Sequence, residues 1–127
     1  MTKINQKIIT ILTLSALVNA MPLNREFRST WVITWEYIGP SLSSNEIMTR
    51  IDEIMDNHAA ANMTAVLFQV RQSGTAYYES SYEPWGYYAG YENPGIDPLE
   101  YAVNAAHERG LEPVSYTHLT LPTTPYV

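Results

Sequence analysis

Thr64-Ala65-Val66-Leu67-Phe68-Gln69-Val70-Arg71 decides the fold. Five of these eight residues are β-branched or large apolar ones, and the run closes on the polar pair Gln69 and Arg71, so it reads as a strand buried on both faces. Upstream, Phe27 to Thr34 (FRSTWVIT) has the same character and reads as an earlier strand. Between the two, Ser43 and Glu46 form a capping box, and Ile47, Ile51, Ile54, Met55 and His58 recur at helical spacing as far as about Asn57 or Ala59-Ala60-Ala61. Downstream, Asp97-Pro98-Leu99-Glu100 supplies an N-cap, a proline at the first helical position and an acidic first turn; the helix then runs to a stop at Gly110, and Leu111 opens a third strand.

The order β-α-β-α-β with doubly buried strands specifies an α/β fold built from right-handed parallel units. Such units belong to a doubly wound sheet or to a (β/α)8 TIM barrel. No glycine-rich phosphate loop joins the first strand to the first helix, which removes support for a nucleotide-binding sheet. The segment from Gln72 to Ile96 is far longer than an ordinary strand-to-helix connection, and in a barrel it lies on the catalytic face.

That loop holds Tyr77, Tyr78, Tyr82, Trp85, Tyr87, Tyr88 and Tyr91 with Glu79, Glu83 and Glu92, and little aliphatic material. Rings with polar tips suit stacking on the C–H faces of sugars, though a share of them must wedge the loop onto the scaffold, Trp85 after Pro84 foremost. Gln69 and Arg71 alternate at the carboxyl end of the second strand, where a guanidinium can hold a carboxylate charged, grip an acidic substrate group, or pair structurally. Glu36, just past the first strand, is the one carboxylate whose position matches a catalytic rim. The substrate-binding candidates are therefore Trp35, Gln69, Arg71, Tyr77, Tyr78 and Trp85. His58 and His107 read as structural, no metal-ligand spacing occurs, no cofactor is implied, and Asn62-Met63-Thr64 reads as a turn rather than a glycosylation site.

The chain has 127 residues, 46% of them hydrophobic, with no cysteine and a net charge of -6. That accommodates one small domain at most and excludes disulfide scaffolds, thiolate metal sites and cysteine nucleophiles. Lys3 and Lys7 precede the mostly apolar Ile8 to Val18, and Val18-Asn19-Ala20 ends the run in small residues, the three-part pattern of a secretory signal over 1–20. The run is too short for a resident membrane span, so secretion, a periplasmic location or display at the cell surface is expected. Without those lysines only Arg25, Arg28, Arg50, Arg71 and Arg109 oppose thirteen carboxylates, which disfavours nucleic acid as a partner. At the other end, Val114 to Thr123 resembles the translation of a transposase adapter used in preparing sequencing libraries, so 114–127 is expected to be a non-native tail and 21–113 the opening part of a longer domain.

Arg25-Glu26-Phe27-Arg28-Ser29-Thr30-Trp31-Val32, Phe68-Gln69-Val70-Arg71, Tyr77-Tyr78, Glu83-Pro84-Trp85, Asp97-Pro98-Leu99 and Ala106-His107-Glu108-Arg109-Gly110-Leu111-Glu112 together resemble the N-terminal part of the glycosyl hydrolase-like family 10 domain. The resemblance implies a truncated (β/α)8 glycoside-hydrolase-like barrel, exported and mostly bacterial, acting on cell-wall glycan or another polysaccharide. It also implies that the carboxylates completing a hydrolase pair lie on strands beyond this stretch, so that the fragment alone is inactive. Many family members carry Asp where this chain has Thr75. Two alternatives stand beside the hydrolase: a carbohydrate-binding surface protein that has lost catalysis, and a barrel enzyme unrelated to sugars in which Arg71 binds a small anion.

Overall fold

A computed structural model describes residues 26–117. The expected signal segment and the far part of the adapter-like tail lie outside the described residues. Three parallel strands form the main sheet: β1 (Ser29–Val32), β2 (Ala65–Gln69) and, at its other edge, the strand Glu112–Tyr116, in the order of the chain. Ser29 to Val32 pair with Ala65 to Phe68, and Ala65 to Gln69 pair with Glu112 to Tyr116. The crossovers are α2 (Ser44–Ala60) and α3 (Pro98–Glu108), preceded by a single turn, α1 (Thr34–Tyr37).

Strands that advance one place at a time by right-handed crossovers put every crossover helix on the same side of the sheet. Accordingly α2 and α3 pack together and against that one side. Ile47, Ile51 and Met55 of α2 and Ala102, Ala105 and Ala106 of α3 are buried against Val32, Val66 and Phe68. Tyr37 lies within this core, its ring stacked on Phe68 at 4.2 Å between centroids. Its hydroxyl donates to the Gln69 carbonyl at 2.7 Å, and burial pushes its pKa well above the ordinary tyrosine value. The alternate strand positions form the opposite side, where Trp31 remains 46% exposed and meets Tyr116 edge-on across β2, at 4.0 Å.

The helix starts follow the sequence closely. Ser43 accepts from the Glu46 amide while the Glu46 carboxylate takes the Ser43 amide at 2.8 Å. Asp97 accepts from Leu99 and Glu100 N–H at 2.9 and 3.1 Å. A polar staple joins the helices: Arg109 of the α3 end pairs with Asp52 at 3.1 Å and Asp56 at 2.5 Å on α2.

Two expectations need correction. The first strand stops at Val32 rather than Thr34, because the Glu36 carboxylate accepts the Ile33 amide at 2.8 Å and turns Thr34–Tyr37 into a helix. The second strand stops at Gln69 rather than Arg71, because Arg71–Gln72 (β3) folds back on Thr75–Ala76 (β4) as an antiparallel hairpin. Ser73 and Gly74 between them have φ of 52° and 76°, the two left-handed positions of a type I′ turn. The strand Glu112–Tyr116 is thus β5, and it includes the start of the adapter-like sequence.

Candidate functional site

The carboxyl ends of β1 and β2 are locked to each other. Gln69 Oε1 accepts from the backbone N–H and the hydroxyl of buried Thr34, at 3.2 and 3.1 Å. This bond fixes the carboxamide between two strand ends, so the Gln69 oxygen is committed to the scaffold. Glu36, the catalytic candidate, spends one carboxylate oxygen capping α1 and is otherwise exposed.

Arg71 grips the long loop. Its Nε donates to both Glu83 oxygens at 2.8 and 2.7 Å, and Nη2 donates to Oε1 at 2.5 Å. The guanidinium holds the Glu83 carboxyl below the ordinary glutamate value, chiefly through these hydrogen bonds, and Arg71 is raised in return. Of the roles open to Arg71 in the sequence, the structure shows pairing with a loop acid twelve residues away.

The rest of the loop is tied down by its own backbone and by the helices. The Ala76 amide donates to the Pro84 carbonyl at 2.9 Å and the Gly86 amide to the Ala76 carbonyl at 3.1 Å, which lays Trp85 beside β4. On the return, Ser44 at the start of α2 donates to the Pro94 carbonyl at 2.6 Å, and Asp97 accepts the Glu79 amide at 2.9 Å. A long loop held at both flanks presents its middle in a fixed shape.

That middle is the 3-10 turn Tyr87–Ala89, followed by Gly90 and Tyr91 in left-handed conformations, φ 71° and 62°. Between it and the β3–β4 hairpin lies a cleft of about 380 Å³. Gln72, Ser73 and Thr75 form the hairpin wall, and Tyr77, Tyr87, Tyr88 and Tyr91 form the other. Tyr77 is only 2% exposed and its hydroxyl is pushed up by burial, whereas Tyr87 and Tyr91 are 59% and 67% exposed. Trp35, half exposed in α1 just past β1, stands 6.0 Å from Tyr88 and joins the same aromatic strip.

Of the sequence-derived candidates, the structure thus brings Trp35 and Tyr77 together through Tyr88. Tyr78 packs against the core, while Gln69, Arg71 and Trp85 hold the framework. The sequence reading did not include Gln72, Ser73 and Thr75 among the binding candidates; the Ser73-Gly74 pair between two short β-prone runs is the hairpin signal that marks them. His58 is structural as expected, with Nε2 2.6 Å from the Thr30 hydroxyl and Nδ1 2.7 Å from the Ile54 carbonyl. Among the described residues there is no group of three or more His, Asp or Glu suited to a metal ion, and no helix long and apolar enough to cross a membrane.

A parallel sheet with its crossover helices on one side and a fixed aromatic loop at the carboxyl edge has the build of a glycoside-hydrolase-like α/β domain. The sequence bears this out: the model of the family described as Glycosyl hydrolase-like 10 matches residues 26–126, and the chain belongs to that family. The matched range continues beyond Pro113 through most of the adapter-like segment. Among relatives, the chain is 33% identical over 100 residues to the glycosyl hydrolase YngK of Bacillus subtilis, covering 70% of this chain and 19% of that protein. It is 38% identical over 61 residues to the glycosyl hydrolase DigH of Escherichia coli K12 and of Shigella flexneri, covering 46% of this chain and 14% of each. The chain therefore spans less than a fifth of the length of these relatives.

Proposed function

We propose that the chain is the opening part of a (β/α)8 barrel glycoside hydrolase, exported through the 1–20 signal, that cleaves O-glycosyl bonds in a polysaccharide such as bacterial cell-wall glycan. The observation that carries this reading is the aromatic strip Trp35, Tyr88, Tyr87 and Tyr91 beside the carboxyl ends of consecutive parallel strands, the edge at which barrel enzymes place their sites. Strand order is consistent with it: β1, β2 and β5 advance in one direction, as consecutive barrel strands do and as one half of a doubly wound sheet also does. Trp31 and its neighbours on the helix-free side are then interior barrel residues, covered by strands that follow.

The residues described here bind and position. Trp35, Tyr87 and Tyr91 hold sugar, buried Tyr77 supports the cleft floor, Arg71 and Glu83 keep the loop seated, and Gln69 aligns the two strand ends. Glycoside hydrolysis uses two carboxyl groups, one protonating the leaving oxygen and the other attacking or activating water. Glu36 and Glu83 are each engaged in a structural contact, so the pair is assigned to later strands and this part alone is inactive.

The engaged state of both carboxylates also favours a second reading, a glycan-binding barrel without catalysis. One assay separates the two: purified full-length gene product on cell-wall and plant polysaccharides, with reducing ends measured. Release of reducing sugar supports the hydrolase, and its absence on every glycan overturns it. The genomic reading frame beyond Pro113 tests the further barrel units and the origin of the tail together.

A further inference from the structure

We propose that the cleft between the β3–β4 hairpin and the Tyr87–Tyr91 turn is a subsite for one uncharged sugar ring, with Tyr91 as its stacking platform. This deepens the proposed function and rests on it for the class of ligand. Three observations converge on the cleft.

The first is backbone strain. A tyrosine at φ 62° sits where only glycine is at ease, and in this position its ring gains little packing, being 67% exposed. Ser73, on the opposite wall, is a second non-glycine residue in the left-handed region, at φ 52°. Two strained residues from separate segments thus face one cleft, the pattern expected where side-chain placement matters more than local stability.

The second is geometry. Tyr87 and Tyr91 meet at 75° with centroids 6.1 Å apart, so their faces form a corner into which a ring can lie flat on one and abut the other. A cleft of about 380 Å³ falls at the small-ligand end of binding sites. The apolar face of a pyranose suits the aromatic surface, and its hydroxyls suit the Gln72 carboxamide and the Ser73 hydroxyl at the rim.

The third is charge. Every lining side chain is neutral, and the nearby cation, Arg71, is bound by Glu83. A uronate or other acidic sugar would enter without a counter-charge, close to a loop that carries Glu79, Glu83 and Glu92. The subsite is therefore selective for neutral rings, N-acetylated or plain.

The test is binding by calorimetry to the full-length gene product, with chitotetraose, cellotetraose and tetragalacturonate as probes. At least one neutral probe is expected to bind more than tenfold tighter than tetragalacturonate. Tyr91→Gly removes the ring and also the strain, so thermal stability is expected to hold or rise while affinity for that probe falls about tenfold, or about 1.4 kcal/mol. Gln72→Ala is expected to weaken the same probe with the fold intact. Equal affinity of Tyr91→Gly and wild type, equal affinity for the acidic probe, or no binding of either neutral probe overturns the proposal. Binding without hydrolysis leaves the subsite standing and removes the hydrolase reading; hydrolysis with unaltered binding in Tyr91→Gly does the reverse.

Discussion

Replacing Gly86 by alanine separates two opposing effects by the sign of one measurement. Gly86 has φ -85° and ψ 176°, extended backbone that alanine adopts readily, so by backbone entropy alone the substitution should stabilise by about 0.4–1 kcal/mol. A methyl group there, however, would collide with the Tyr77 hydroxyl, lie 2.5 Å from Cζ of the same ring, and lie 2.6 Å from the Thr75 hydroxyl. Tyr77 is buried and its rigid ring cannot bend aside, so the collision is relieved only by moving β4 or expelling the ring, an overpacking cost of about 1–3 kcal/mol. The net is a destabilisation of about 1–2 kcal/mol. It should be local, because Gly86 and Ala76 are joined by the Gly86 N–H to Ala76 carbonyl bond. Native-state hydrogen exchange of the full-length product reads it directly: the Ala76 and Gly86 amides should exchange about 5–30-fold faster, with α2 amides unchanged. Exchange at or below the wild-type rate would refute the packing of Tyr77 under Gly86, and with it the shape of the cleft.

Three further outcomes follow from named contacts. Because Arg71 favours the charged form of Glu83, the folded state takes up that proton at lower pH than the unfolded chain; loop protection is complete above the ordinary glutamate range and declines as pH falls through the lowered value, a dependence that Glu83→Gln should abolish in hydrogen exchange. Asp97→Ala should cost about 0.5–2 kcal/mol in denaturant unfolding, since two α3 amides lose their cap and the Glu79 amide its acceptor, whereas Asp97→Asn should retain most of it. Residues 21–127 expressed alone should show no cooperative thermal transition, because Trp31 and the helix-free side of the sheet then face water; a soluble monomer with a sharp transition would contradict the barrel assignment.

The sequence carried the parts of the fold that are local. Ser43 with Glu46, Asp97 before Pro98, and the apolar run into Gln69 each announce an element through its own neighbours; both helix starts stand where expected, and the strand is present but ends two residues early. The α1 turn was hidden because Ile33 and Thr34 continue the β-branched pattern of the strand, and the signal that ends it is a single carboxylate, Glu36, reaching back three residues. The site was less legible. Arg71 and Glu83 meet only because a hairpin and a loop bring them together, and no periodicity encodes a bond across twelve residues. Counting aromatic residues pointed to the loop that lines the cleft but could not separate Tyr77, buried beneath Gly86, from Tyr91, held outward by its own backbone.

The most direct test of the central claim is a crystal structure of the full-length gene product soaked with whichever neutral tetrasaccharide it binds. The expected result is a closed barrel in which further strands cover Trp31 and Leu67, with a sugar ring stacked on Tyr91 beside Gln72. A sheet that leaves Trp31 in solvent in the complete protein, or a saccharide bound away from the loop at the carboxyl ends of β1 and β2, would contradict it.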